Sequence, residues 1–337
     1  MLKRFLSLIA LLLFIPVAGL GAPKIADASF TPSTNAVSYS FIASGQDYVH
    51  IIYKTAQESG KIVVEGESGY FSGELPLPLT YAGNNVNITL QSLSGSKLGQ
   101  FKTKTAYPSA MPPKAPAESG PLSGITVCID PGHQLKAKGG KEPLGPGLKG
   151  TKSLVIGMAE GAVTKRTEAA VVLEIGLQLR DLLMQRGANV VMTRDVMDKT
   201  LTNLERAAIA NDAGADITLR LHGNSNSSSK SHGIIIYGPS QSDYAKAVAD
   251  NNTYLAWART LLNSMLETTD ADRGNAALTN RYVGSSWCKM PVFLVEMGYM
   301  SNPQDDLLLS DPAYQQKLCL GMADGIEAIL KQQGRIK

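Results

Sequence analysis

Cysteine and histidine are both scarce in this sequence of 337 residues. The three cysteines, Cys128, Cys288 and Cys319, are scattered and odd in number, which excludes a disulfide framework and allows at most one bridge. We expect them to be buried free thiols. The chain has four histidines, so a metal or acid–base site that uses imidazole has only four candidates: His50, His133, His222 and His232.

A large excess of charge of one sign is also absent. The chain has 32 basic and 29 acidic residues. Residues 1–28 hold three of the basic and one of the acidic residues, so 29 basic and 28 acidic residues remain beyond them. Nucleic-acid binders gain affinity by neutralising many phosphates, so we expect no nucleic-acid partner. The hydrophobic content of 44% is enough to bury cores and excludes a disordered chain.

The N-terminus has the pattern of a secretory signal peptide. Lys3 and Arg4 precede the apolar run 5–20. This run is shorter than the ~20 residues that a spanning helix needs, and Pro16 interrupts it. An uncleaved N-terminal anchor is the alternative reading of the same run.

The predicted signal peptide covers residues 1–28, with cleavage after Ala28 in the small-x-small motif, or after Gly21 as a second possibility. No cysteine follows the run, so we expect no lipoprotein anchor. No other segment is long and apolar enough to cross a bilayer, so no integral membrane segment is expected after cleavage. The protein is therefore predicted to act outside the cytoplasm, secreted to the cell wall or periplasm.

Beyond the leader, the composition changes twice. Residues 29–107 show short alternating runs separated by Ser, Gly and Asn turns, a pattern typical of a small all-β sandwich of immunoglobulin-like size. Residues 108–124 carry five prolines and are predicted to be a semi-stiff linker. Residues 125–337 alternate strands and helices, which predicts an α/β domain with a mostly parallel twisted sheet flanked by helices.

Within this second region, periodicity and turn signals place nine elements. The expected strands are 125–129, 188–193, 216–221, 233–237 and 292–295, and the expected helices are 167–186, 203–213, 243–266 and 312–332.

Chemistry-bearing side chains follow the ends of these strands. His133 closes an Asp-Pro-Gly-His sequence after the first strand, and His222 ends another strand. Ligands of open α/β sheets bind beyond the carboxyl ends of the strands, so the two imidazoles are expected to converge there and bind zinc. A catalytic zinc needs a third ligand and an open position for water. Glu168, opening the next helix, and Glu296, at another strand end, are the candidate carboxylates.

The ordered set of motifs resembles the zinc-dependent N-acetylmuramoyl-L-alanine amidases of bacterial cell-wall turnover. The resemblance covers about residues 123–333. It is carried by Asp130-Pro131-Gly132-His133, Glu168 with residues 171–175, residues 191–194, Glu205-Arg206 with Ala210-Asn211, Leu221-His222-Gly223-Asn224, and residues 292–302.

This resemblance implies that His133, Glu168 and His222 bind Zn²⁺ and that Glu296 is the catalytic carboxylate. The substrate it implies is peptidoglycan, cut at the amide between N-acetylmuramic acid and L-alanine. The sequence departs from the family in having Gln134 and Leu135 after His133, and in the long separation of His133 from Glu168. Glu160 and Glu174 are therefore alternatives to Glu168.

Two other functions are compatible with these residues. A zinc carboxypeptidase or peptidase acting on the stem peptide would use the same metal chemistry, and a catalytically inactive wall-binding protein would keep only the fold. For the all-β region, its position alone suggests a module that binds the wall or a protein partner.

Overall fold

The computed structural model describes residues 25–32, 36–54, 59–76, 85–104, 117, 119–135, 138–154 and 157–337. Residues 1–24 of the predicted leader and residues 108–116 of the predicted linker lie outside these ranges.

The N-terminal region is all β, as predicted. Its two antiparallel sheets have the strand orders β1-β2-β5 and β4-β3-β6-β7. Alternate side chains of the strands, such as Val49 and Ile51, are buried between neighbouring apolar residues, which is the period of two expected of a strand with one covered face. The strands are β1 (Ile25–Pro32), β2 (Ala36–Ala43), β3 (Tyr48–Lys54), β4 (Ser59–Glu65), β5 (Tyr70–Pro76), β6 (Asn85–Ser92) and β7 (Lys97–Lys104).

The second region is built on a six-stranded sheet of order β11-β8-β12-β15-β13-β14. All neighbouring pairs are parallel except β13 with β15, so the predicted mostly parallel sheet is confirmed. A separate short hairpin, β9 (Lys141–Pro143) with β10 (Thr151–Ser153), lies between β8 and the first helix. The sheet strands are β8 (Thr126–Pro131), β11 (Asn189–Met192), β12 (Ile217–Asn224), β13 (Ile234–Pro239), β14 (Gly274–Thr279) and β15 (Val292–Tyr299).

Helices pack against this sheet to form the main core. Their ends carry local signals: Thr202 and Glu205 form a capping box at the start of α2, and Gly187 adopts φ +90° just past α1, a conformation that favours glycine at helix ends. The helices are α1 (Glu168–Gln185), α2 (Asn203–Asp212), α3 (Asp243–Val248), α4 (Asn251–Thr269), α5 (Val283–Ser286), α6 (Pro303–Leu309) and α7 (Pro312–Gln332). Among the described residues, no helix has both the length and the apolarity needed to cross a bilayer.

The structure corrects the prediction of one long helix over 243–266. Ala249 is extended, with φ −164°, and ends α3, while the Asp250 side chain accepts a hydrogen bond from the Thr253 amide and starts α4. An Asp that caps a new helix competes with continuation of the old one. Strand β14 and helices α5 and α6 were not predicted, because each is short and lacks a clear period.

Candidate metal centre

Three neighbouring strands bring the candidate residues to one edge of the sheet. Leu221 of β12 pairs with Pro131 of β8, and His222 pairs with Glu296 of β15. Because these strands are parallel, their carboxyl ends share an edge, and His133 follows β8 at that edge. His133 has φ +56°, a left-handed conformation that is uncommon for residues other than glycine and is often found at functional sites.

Glu168 lies between the two imidazoles. Its Oε2 is 3.1 Å from His133 Nε2, and its Oε1 is 3.0 Å from His222 Nδ1. The carboxylate also accepts hydrogen bonds from the amides of Ala159 and Gly223, each at 3.1 Å. The helix start, the loop before it and the end of β12 therefore hold this carboxylate in one orientation.

The geometry of the cluster fits a metal ion. One ligand atom from each of His133, Glu168 and His222 lies within 4.8 Å of the others. Ligands at zinc bond lengths of 2.0–2.2 Å in a tetrahedron are about 3.3 Å apart, which is within this limit. His222 Nε2 is buried and has no hydrogen-bond partner among the described residues. The lack of a side chain at Gly132 makes room for this ring, since a Cβ there would be 2.6 Å from Nε2.

The protonation states also suit metal binding. Burial alone would raise the pKa of Glu168, but the hydrogen bonds from His133 and His222 hold it well below its usual range. Burial lowers the pKa of His222. Metal ligands must be an ionised carboxylate and neutral imidazoles, and both shifts favour these forms.

Glu296 lines the same cavity, which has a volume of about 420 Å³. Its Oε2 is buried and makes no hydrogen bond to any residue that the structure describes. Burial, and then repulsion from Glu168, raise the pKa of Glu296 to about 8. A carboxyl group with a pKa near neutrality can both accept and donate a proton at that pH.

The two alternatives to Glu168 are not part of this cluster. Glu160 is exposed, and its backbone pairs with Thr167 just before α1. Glu174 is buried one and a half turns further into the helix, where Arg166 donates a hydrogen bond to it.

A charged network that the sequence only partly revealed lies under His133. Asp130 accepts hydrogen bonds from Arg206 at 2.6 Å and from Arg220 at 2.8 Å, and from Thr193 Oγ1 at 2.6 Å. Arg206 also donates to the carbonyl of His133 at 2.7 Å, so it links Asp130 to the turn that carries His133. Arg220 was missed, although a charged residue within the apolar sequence of β12 was a signal for a buried partner.

Two asparagines of the motifs that resemble the amidase family, Asn211 and Asn224, have different surroundings. Asn211 has a structural role, since its side chain donates to the Trp287 carbonyl and accepts from the Lys289 amide. Asn224 lines the cavity.

Residues 138–154, in the long segment between His133 and Glu168, form a wall beside the site. Glu142 of β9 is buried and accepts hydrogen bonds from Asn203 Nδ2 at 2.9 Å and from the Leu204 amide at 2.8 Å. The Trp287 indole donates to the Pro143 carbonyl at 3.0 Å. These contacts attach the hairpin to α2 and to the end of α5.

Known proteins share this fold and sequence pattern. The probable cell wall amidase LytH of Staphylococcus aureus is 29% identical over 210 residues, 62% of this chain and 60% of LytH. The matched part thus spans less than two thirds of that relative. The N-acetylmuramyl-L-alanine amidase Ami1 of Mycobacterium abscessus is 25% identical with a TM-score of 0.56, over 62% of this chain and 100% of Ami1. Ami1 of Mycobacterium smegmatis, at 22% identity and a TM-score of 0.56 over 63% of this chain and 99% of its own, shares the fold.

The family match covers all but the first residue of the six-stranded sheet and all four residues of the candidate site. Residues 127–328 match the Amidase_3 family, described as N-acetylmuramoyl-L-alanine amidase. This segment is more than half of the chain and contains His133, Glu168, His222 and Glu296. The chain is therefore a member of the Amidase_3 family of N-acetylmuramoyl-L-alanine amidases.

Proposed function

We propose that this protein is a zinc-dependent amidase of the cell wall that acts outside the cytoplasm. It hydrolyses the amide that joins N-acetylmuramic acid to L-alanine in peptidoglycan. The observation that carries the proposal is the meeting of His133, Glu168, His222 and Glu296 around one cavity in a chain of this family.

In this proposal His133, Glu168 and His222 bind zinc. Zinc at such a site supplies Lewis acidity for the scissile carbonyl and lowers the pKa of a water ligand to about 7. The amides of Ala159 and Gly223 hold the Glu168 carboxylate toward the two rings, a supporting contact of the kind that tunes metal affinity by about 10–100-fold.

Glu296 acts as the general base and then as the general acid. Its carboxylate takes a proton from the attacking water and delivers it to the nitrogen of L-alanine, so that the peptide leaves as a neutral amine. Proton transfer by a positioned side chain contributes about 10²–10⁴-fold to the rate. The burial of Glu296 beside Glu168 favours the protonated form that donates in the second step.

Measurements of zinc content and of peptide release in the same variants distinguish residues that bind the metal from the residue that transfers the proton. We expect His133→Ala, His222→Ala and Glu168→Ala to lose both zinc and activity, because each removes a metal ligand. Glu296→Gln keeps the side-chain volume but cannot accept the proton, so zinc should stay while release falls by about 10²-fold or more. His232→Ala and Glu160→Gln are matched controls, since both residues lie outside the cluster, and they should retain zinc and activity.

Two results would contradict these roles. Full zinc in Glu168→Ala together with zinc loss in Glu296→Gln would mean that the two carboxylates are assigned the wrong way round. Wild-type activity in Glu296→Gln would exclude it as general base.

Mass spectrometry of digested peptidoglycan tests the bond that is cut. Free stem peptides together with unsubstituted muramic acid are expected. Shortened peptides still attached to the sugar would instead indicate a carboxypeptidase, and the absence of products from zinc-loaded protein would indicate a wall-binding protein without catalysis.

A further inference from the structure

The cavity that contains Glu168 and Glu296 is also lined by two cations, Lys152 and Arg220. Neither is a candidate metal ligand, and the proposed hydrolysis does not require either of them. Hydrogen bonds hold the side chains of Lys152 and Arg220 in defined positions. Carboxylates of the described residues balance their positive charges only in part.

Arg220 lies on β12, two residues before His222, and is 4% exposed. Its Nε donates to Asp130 at 2.8 Å and its Nη2 donates to Asn203 Oδ1 at 2.9 Å. Its Nη1 forms no hydrogen bond with the described residues. The guanidinium packs over Gly284, where an added Cβ would lie 2.5 Å from Nη1. A buried guanidinium therefore has an N–H group left for a ligand in the cavity.

The carboxylate that balances Arg220 is shared. Asp130 also pairs with Arg206, at 2.6 Å, so two guanidinium groups lie on a single carboxylate. Asp130 alone therefore does not balance both guanidinium groups, and burial strengthens the electrostatic interaction that Arg220 can make with an anion in the cavity.

Lys152 adds a second positive charge. Its Nζ donates to the Arg281 carbonyl at 2.8 Å and lies 5.5 Å from the centre of the Tyr282 ring. In the part of the chain that the structure describes, no carboxylate forms an ion pair with Lys152 or Arg281. Burial, followed by repulsion from Arg220 and Arg281, lowers the pKa of Lys152, which is the response of a cation that lacks an anion.

The hairpin that carries Lys152 is anchored at several points. Besides the contacts of Glu142, the Asp243 amide donates to the Pro146 carbonyl at 2.9 Å. Lys152 is therefore presented by a structured wall, and little further ordering is needed for it to bind a ligand.

We propose that Lys152 and Arg220 form a carboxylate-binding subsite of this cavity, which binds a carboxylate of the peptide part of the substrate. The inference rests on the proposed function, since it takes the leaving group to be a peptide. Carboxylates are the anionic groups that such a peptide carries, and both cations can give charge-assisted hydrogen bonds to them. The subsite would select and position the peptide relative to the scissile amide.

Soluble muramyl peptides test the subsite. One substrate has free carboxylates at its second residue and at its C-terminus, and two others carry an amide at one of these positions. The zinc-loaded wild type should show a kcat/KM about tenfold or more higher for the free carboxylate than for the amide at one of the two positions, which identifies the group that binds. The ratio should fall toward one in Lys152→Gln and be retained in Lys152→Arg.

Lys246→Gln is the matched control, because Lys246 is an exposed lysine outside this cavity, and it should keep the wild-type ratio. Calorimetry with the released peptide gives a readout that does not need turnover. The dissociation constant of the free-carboxylate peptide should rise about tenfold in Lys152→Gln, while that of the amidated peptide should change much less.

Equal rates for free and amidated substrates in the wild type would overturn the subsite and leave the amidase function intact. A uniform loss on all substrates in Lys152→Gln would also overturn it, since that result indicates a structural role. Absence of peptide release from every substrate by zinc-loaded wild type would instead contradict the proposed function, and the calorimetric comparison would still decide whether the carboxylate binds.

Discussion

Asp130→Asn should strongly destabilise the region that matches the Amidase_3 family, residues 127–328, because Asp130 is the common partner of two buried arginines. Its side chain is 2% exposed and contacts Arg206, Arg220 and Thr193. Asparagine keeps the shape but removes the charge, so two guanidinium groups remain buried without a counter-charge. Removing one partner of a buried ion pair destabilises by about 3–5 kcal/mol. The whole stability of a domain is only about 5–15 kcal/mol, so the effect should be large.

Urea unfolding followed by tryptophan fluorescence measures this change. Trp257 and Trp287 are the two tryptophans of the chain, and both lie within the matched residues 127–328, so the fluorescence reports on this region. Asp324→Asn is the matched control. Asp324 pairs with Arg186 at the surface with its side chain 49% exposed, and such pairs contribute about 0–1 kcal/mol. A loss below about 1 kcal/mol in Asp130→Asn would refute the reasoning.

The same variant predicts a pH dependence. Burial alone would raise the pKa of Asp130, but Arg206, Arg220 and Thr193 hold it well below its usual range. A lowered pKa in the folded state contributes stability that is fully present above the unfolded pKa of about 3.9 and is lost as the pH falls below it. The free-energy difference between wild type and Asp130→Asn should therefore be constant near neutrality and shrink below about pH 4. A difference that grows on acidification would contradict this sign.

Three further predictions concern the metal site, the thiols and the N-terminus. Gly132→Ala should lower zinc content, because the new Cβ would collide with the His222 ring, whereas Gly139→Ala, at a glycine with open space around it, should leave zinc content unchanged. Thiol titration of the unfolded, unreduced protein should find three free groups, since all three cysteines are buried and unpaired; finding a single group would require a bridge. N-terminal sequencing of secreted protein should show cleavage after Gly21, because β1 begins at Ile25 and pairs with β2, and the alternative cut after Ala28 would remove half of that strand.

Much of the site could be predicted from the sequence because each candidate residue is positioned by its own strand or helix. A histidine directly after a buried strand and a glutamate at the start of a helix are placed by their own elements, and parallel strands put their carboxyl ends at one edge. His133 and His222, with Glu168 or Glu296 as the carboxylate, could therefore be expected together before any distance was known, and the family resemblance implied that Glu168 is the ligand. The α/β pattern and the helix over 312–332, which the structure reproduces as α7, depended in the same way on local periodicity.

Tertiary structure alone decided the rest. Whether Glu168 or Glu174 approaches the imidazoles depends on the contacts of the loop before α1, including the Arg166–Glu174 pair. The sheet order β11-β8-β12-β15-β13-β14 determines which residues are neighbours. It places Arg220 of β12 beside Asp130 of β8, although these two strands are far apart in sequence. Burial of Glu296, and so its raised pKa, likewise depends on surrounding elements. Local patterns determine elements and their ends, whereas ion pairs, burial and cavity walls arise only when distant segments pack together.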